Sequence, residues 1–219
     1  MRIKMAPCDV ARIQRVGEAV REGGVIIYPT DTVYGIGGDP FNAVVVKRIF
    51  EIKMRDEKPM PVLVSDLEAA RRLVDVGRLG VTLMEIFWPG ALTVVLRVKE
   101  GLPPQLTAGS GKLGVRMPNH ELALRIIVAS GGALIGTSAN VAGGQPAKNV
   151  GELDPRLVRG ADVIVDGGGS TLGVSSTVVE VVTKRASPSV RILREGAVRT
   201  EVIRESLLKA GIRGEVTVA

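Results

Sequence analysis

Apolar runs too short to be helices alternate along this chain with longer amphipathic stretches, and that alternation constrains the fold more than any other feature. Val25-Ile-Ile-Tyr28, held between Gly23-Gly24 and Pro29, reads as a buried strand. Residues 61–64, 92–98, 113–116, 133–135, 163–165, 177–182 and 190–193 read the same way. Asp9 is placed to cap a helix with Val10, Ile13, Val16 and Val20 on one face, and Asn42 precedes one carrying Val45, Val46, Ile49 and Phe50. Asp66, Asn119 and Thr200 open helices expected to reach Val76, Ser130 and Ala210, and another helix precedes Phe87-Trp88-Pro89-Gly90. Such alternation gives an α/β chain. The late strands lie close in sequence, with Pro188 placed in the turn between two of them, so some pairing is antiparallel and the sheet is mixed. No repeat, low-complexity tract or long linker divides the chain, so the expectation is a single domain over residues 1–219.

Composition then removes whole classes of chemistry. One Cys (Cys8) and one His (His120) allow no internal disulfide, no cysteine zinc cluster and no site built on two histidines. His120 reads as a helix cap or a packed residue at a helix start. Aromatic residues are only 3%, which argues against base-stacking platforms for single-stranded nucleic acid. The net charge of +6 points to an anionic partner such as a nucleotide, a phosphorylated metabolite or nucleic acid. Residues 126–147 carry no charge but contain two serines, five glycines, Asn140, Gln145 and Pro146, so they do not read as a membrane span. With no secretory pattern at Met1 to Asp9, a cytoplasmic protein without membrane contact is expected.

The glycine-rich segments fall between predicted elements, where loops build sites. Two resemble phosphate loops and fail. Gly109-Ser-Gly-Lys112 has Leu106 and Leu113 where a P-loop needs Gly and Ser/Thr, and Gly167-Gly-Gly-Ser-Thr-Leu172 lacks the third glycine of a dinucleotide turn. More informative are Pro29-Thr-Asp-Thr-Val-Tyr-Gly35 and Gly136-Thr-Ser-Ala-Asn140. Each follows a buried strand directly and gathers short polar side chains at its end. Lys53, Arg55 and Lys58 put three cations at a junction that Pro59 and Pro61 force out of helix, a set suited to polyphosphate.

Taken in order, Pro-Thr-Asp-Thr-Val-Tyr-Gly, Lys53-x-Arg55 near Lys58-Pro-x-Pro, Gly114-Val-Arg116-x-Pro118 and Ser138-Ala-Asn140 resemble the YrdC-like family of threonylcarbamoyl-AMP synthases. Ser175-Ser-Thr-Val-Val-Glu180 and Arg191-Ile-Leu-Arg-Glu-Gly196 resemble its closing motifs, so the likeness runs from about Gly17 to the final helix. It implies a twisted mixed sheet with flanking helices and a basic concave cleft, in the short form without an extra C-terminal domain. It also implies an enzyme, a nucleotidyltransferase that makes L-threonylcarbamoyladenylate and pyrophosphate from L-threonine, bicarbonate and ATP. Mg²⁺ would travel with the nucleotide, and no protein metal site is implied. A separate transferase would then modify tRNA with the product, and a tRNA or double-stranded RNA contact is a further expected partner.

Position by position, the resemblance makes Lys53, Arg55, Ser138 and Asn140 the catalytic tetrad. It assigns ATP to Arg55, Lys58, Lys112, Ser138 and Arg194, and threonine to Thr32, Arg116, Ser138 and Ser176. Three departures stand out. Lys58 sits one residue nearer Arg55 than the family spacing, Gly143-Gly144 adds a residue before Gln145-Pro146, and Lys112 stands where a smaller hydroxyl residue is common. Two other readings use the same basic cleft: a double-stranded RNA-binding module, and a nucleotide-binding paralogue with different transfer chemistry. The synthase reading predicts that Arg55→Ala, which removes a charged contact made chiefly in the transition state, costs on the order of 3 kcal/mol, roughly 100-fold in turnover. Steady-state pyrophosphate release beside an unchanged melting curve checks this, and near-normal turnover would remove the role given to Arg55.

Overall fold

The fold is described from a computed structural model covering residues 1–54, 58–183, 188–212 and 216–219. In chain order the strands are β1 (Arg2–Lys4), β2 (Ile26–Tyr28), β3 (Gly35–Gly37), β4 (Val62–Val64), β5 (Leu92–Arg97), β6 (Lys112–Arg116), β7 (Ala133–Ile135), β8 (Thr137–Ser138), β9 (Val163–Asp166), β10 (Thr177–Thr183), β11 (Pro188–Arg194) and β12 (Val216–Val218). The helices are α1 (Val10–Arg21), α2 (Ala43–Lys53), α3 (Leu67–Leu73), α4 (Arg78–Phe87), α5 (Glu121–Ala129), α6 (Pro155–Gly160) and α7 (Thr200–Lys209). Among the described residues none of these helices is long and apolar enough to cross a membrane.

The α/β class and the mixed pairing follow the sequence reading, but the strands divide into two sheets. One runs β1-β9-β2-β3-β8 and the other β12-β11-β10-β5-β6-β4-β7. Parallel and antiparallel neighbours occur in both. Helices α1 and α5 cover one face of the first sheet, where Ile13, Val16, Val20, Ile126 and Ile127 pack on Ile26, Tyr28, Val163 and Val165. The opposite face, carrying Ile27 and Ile164, belongs to the larger core shared with the second sheet. Strand alternation explains the division, since neighbours in sequence point to opposite sides.

The shortest passage of chain between the sheets is a single residue. Strand β7 ends the seven-stranded sheet, and after Gly136 the same chain becomes β8 at the edge of the five-stranded one. The crossing is tight. A Cβ on Gly37 would stand 1.7 Å from the Ile135 carbonyl oxygen, and one on Gly136 would stand 2.3 Å from Leu63 Cγ. Tyr28 donates its hydroxyl to the Ile135 carbonyl (2.8 Å), and the Ile135 N–H reaches Gly38 O (2.9 Å).

Several local expectations need correction. Asp9 and Asn42 cap α1 and α2 through their side chains, but Val10 is 58% exposed because it lies outside the buried face. Helix α3 stops at Leu73, where Val74 turns extended and bridges Val98. His120 caps α5, taking the Ala123 N–H on Nδ1 (3.2 Å), so Asn119 does not. Thr200 is the first helical residue of α7, and Glu195 accepts both its N–H and its hydroxyl. Gly35–Gly37, read as loop, is a strand, and Pro188 begins β11. Gly37→Ala is expected to cost about 3 kcal/mol, since its methyl group meets backbone that cannot retreat. Urea unfolding measures it, and a loss below about 0.5 kcal/mol would show the crossing to be looser than described.

Candidate active site

The two sheets face each other across a cleft of about 400 Å³, a volume suited to a small-molecule ligand. One wall is a face of the seven-stranded sheet. Side-chain alternation places Lys112, Gly114 and Arg116 of β6 on it, beside Thr93 and Val95 of β5 and Val178 and Glu180 of β10. Their neighbours Leu113, Val115, Val94 and Val179 point the other way into the core. The other wall comes from the ends of β2 and β7–β8, with Thr32, Gly136 and Ser138.

Along the sheet wall the chemistry changes in order. At one end Arg116, 5% exposed, donates from Nε to Gly90 O (2.8 Å), from Nη1 to Thr32 Oγ1 (2.8 Å) and from Nη2 to Asp31 Oδ1. Burial lowers its pKa, and the Asp31 carboxylate opposes that shift. Ser176 and Thr93 share a hydroxyl–hydroxyl hydrogen bond of 2.8 Å nearby on the same wall. Gly114, Val95 and Val178 form a flat middle with little side chain. At the far end Lys112 pairs with Glu180, which also faces Arg191 at 3.5 Å. Arg194 closes the wall and donates to Ser176 O (2.8 Å). Among the described residues Lys112, Arg116 and Arg194 line the cleft and the Glu180 carboxylate joins them, so the cleft favours anions.

The cleft thus brings together Thr32, Lys112, Arg116, Ser138, Ser176 and Arg194 from the sequence-derived set. Lys53 and Asn140 stand behind its wall. Lys53, 2% exposed, donates to the carbonyls of Ser138 and of Asn140 (2.8 Å for the latter). Helix α2 delivers it there, because Met54 in the left-handed region ends that helix at Lys53. Asn140 accepts the Ser138 hydroxyl and donates to Val141 O (2.9 Å) and Gly144 O (2.8 Å). Lys58 is exposed, one residue before Pro59 of the cleft wall. Arg55 lies outside the described residues.

Sequence reasoning placed Asp31, Thr93 and Glu180 in motifs or strands without giving them a site role. Thr93 and Glu180 alternate in phase with Val95 and Val178 on strands read correctly, so the alternation itself carried the signal. Asp31 had none beyond its polar loop, because its partner is 85 residues away.

The Sua5/YciO/YrdC family model, described as "Telomere recombination", matches residues 18–196. This chain belongs to that family. Within the family it is 37% identical over 200 residues to the threonylcarbamoyl-AMP synthase of Bacillus subtilis, covering 88% of this chain and 55% of that protein. It is 35% identical over 164 residues to the threonylcarbamoyl-AMP synthase of Pyrococcus abyssi, covering 74% of this chain and 48% of that protein. The chain therefore spans about half the length of these two relatives. Among solved structures, P. abyssi Sua5 complexed with L-threonine superposes with a TM-score of 0.89 at 30% identity, covering 100% of this chain and 62% of that one.

The imidazole of His120 feels the charge of Asp31, the partner of Arg116 in the cleft. Burial lowers its pKa, and the Asp31 carboxylate works against the shift. An imidazole whose folded pKa lies below its unfolded value of about 6.5 gives stability that is complete above that pH and lost as pH falls through the folded value. Protonation also removes the Nδ1 acceptor that caps α5. The urea midpoint is therefore expected to drop as pH falls below about 6.5, and His120→Asn, an uncharged cap, should flatten this step. An equal step in both proteins would assign it to other groups.

Proposed function

We propose that this chain forms L-threonylcarbamoyl-AMP and pyrophosphate from L-threonine, bicarbonate and ATP. The observation that carries the reading is the meeting, in one anion-favouring cleft, of the Arg116–Thr32 pair with the hydroxyls of Ser138 and Ser176. The relatives named as threonylcarbamoyl-AMP synthases, and the threonine complex of the superposed structure, support the choice of substrate. In this reading Arg116 takes the amino-acid carboxylate, and Thr32, Ser138 and Ser176 take its polar groups. Lys58, Lys112, Arg194, Ser138 and Arg55 take ATP.

The reaction begins with the neutral amine of threonine combining with bicarbonate to give an N-carboxylate and water. A carboxylate oxygen attacks the α-phosphate, the bond to the β-phosphate oxygen breaks, and pyrophosphate leaves with its electron pair. No protein nucleophile is required. Catalysis is orientation and charge stabilisation, for which a cationic, partly enclosed cleft is suited. Lys53 supplies positive charge from behind the wall while fixing the carbonyls of Ser138 and Asn140, and Arg55 adds the second charge as pyrophosphate departs. Among the described residues no group of three or more His, Cys, Asp or Glu gathers to hold a metal. Magnesium enters in this proposal as part of the nucleotide substrate, where it screens phosphate charge. The product passes to a separate transferase that modifies tRNA, and the proposed compartment is the cytoplasm.

Pyrophosphate release from Mg-ATP, measured with and without L-threonine and bicarbonate, tests the proposal. Release that needs both, with a product of the adenylate's mass, is the expected outcome. ATP turnover independent of threonine would favour a paralogue with other transfer chemistry. Salt-sensitive binding of double-stranded RNA with no turnover would favour an RNA-binding module.

A further inference from the structure

The proposed reaction leaves the buried carboxylate of Asp31 without a task. It is 4% exposed, and its backbone is fixed on both sides. Thr30 Oγ1 accepts the N–H groups of Thr32 (3.2 Å) and Val33 (3.3 Å) and donates to Val33 O (2.6 Å). The Asp31 carbonyl accepts the Leu172 N–H (2.8 Å) and the Thr171 hydroxyl (3.1 Å). That second segment leads directly to Ser175 and Ser176 of the cleft wall. With its main chain tied to both loops, Asp31 turns its side chain to Arg116 Nη2.

A guanidinium has five N–H groups in a planar fork. In Arg116 the Nε group goes to Gly90, one on Nη1 goes to Thr32, and one on Nη2 goes to Asp31. One N–H remains on each terminal nitrogen, a pair of donors on a side chain that lines the cleft. Two such donors match a carboxylate only when the plane of the fork is fixed. Gly90 and Thr32 hold the Nε and Nη1 sides, and the Nη2 side is held by Asp31.

We propose that Asp31 is a positioning residue for the amino-acid carboxylate, setting the plane of the Arg116 guanidinium so that its two remaining N–H groups face the ligand. The inference rests on the reading of Arg116 as the carboxylate anchor. What Asp31 supplies is an acceptor at a fixed point, so an uncharged acceptor of the same shape serves nearly as well. This separates positioning from a purely structural ion pair, since breaking a buried pair lowers stability whatever the ligand.

Isothermal titration calorimetry with L-threonine and, separately, with ATP tests it without requiring turnover. Asp31→Ala is expected to weaken L-threonine on the order of 10- to 100-fold, the value of a hydrogen bond to a charged group. ATP affinity should stay within about twofold, and Asp31→Asn should return L-threonine to within about threefold of the unsubstituted chain. Should Asp31→Ala fail to fold, Asp31→Ser, whose hydroxyl is too short to reach Nη2, carries the same comparison. Unchanged threonine affinity in a folded variant overturns the inference. So does equal weakening of both ligands, which marks a structural defect, or an Asp31→Asn variant as weak as Asp31→Ala, which marks charge as the cause. If the unsubstituted chain binds ATP but no L-threonine, the reading of Arg116 as an amino-acid anchor falls first, and this inference with it.

Discussion

Residues 133–138 belong to both sheets, and the geometry of the cleft depends on how they cross. Three side groups pin the crossing. The Tyr28 hydroxyl holds the Ile135 carbonyl, Leu63 packs where a Gly136 side chain would lie, and the Lys53 ammonium takes the Ser138 carbonyl. None of the three is exposed, so the two hydrogen bonds lie in a low dielectric where leaving either unmade is costly. Burial also raises the Tyr28 pKa, which keeps the phenol a donor at every physiological pH. Moving this segment would move Ser138 relative to Arg116, because they ride on different sheets.

The sheet wall shows how a regular element can carry a graded site. Three antiparallel or parallel neighbours, β6, β5 and β10, put every second residue into the cleft, and successive positions run from guanidinium and hydroxyls, through glycine and valine, to an ion pair. The opposite phase of the same strands is aliphatic at Leu113, Val115, Leu92, Val94, Leu96 and Val179, with Thr177 buried among them. Selecting such a wall demands polar residues on strands whose other face is core, and buried polar groups are tolerated only when paired. They are paired here: Arg116 with Asp31, Thr93 with Ser176, and Lys112 with Glu180.

Local signals made much of the fold readable from residues alone. Helices α1 and α2 announced themselves because Asp9 and Asn42 cap their own helices through side-chain bonds that involve only near neighbours. Strands β2, β5 and β7 did so because each is an uninterrupted buried apolar run or nearly so. Strand β3 did not, because Gly-Ile-Gly has almost no intrinsic strand preference, and Gly37 answers to the approach of Ile135 and Gly35 to that of Tyr28, contacts made only in the folded chain. The partition of strands between two sheets was hidden for the same reason. In the site, motif order pointed to loops that line the cleft. The inward turn of Lys53 and the Asp31–Arg116 bond depend on chain reversals that no local pattern records.

Arg116 lies on one sheet, whereas Thr32 follows a strand of the other and Ser138 ends one, and the covalent passage from β7 to β8 between the sheets is one residue long. A ligand that touches both walls is thereby a cross-link between two halves of the core. By mass action it withdraws population from any opening of one sheet against the other, by about 2.7 kcal/mol when present at one hundred times its dissociation constant. Occupancy and resistance to unfolding are, in such a molecule, two readings of one equilibrium.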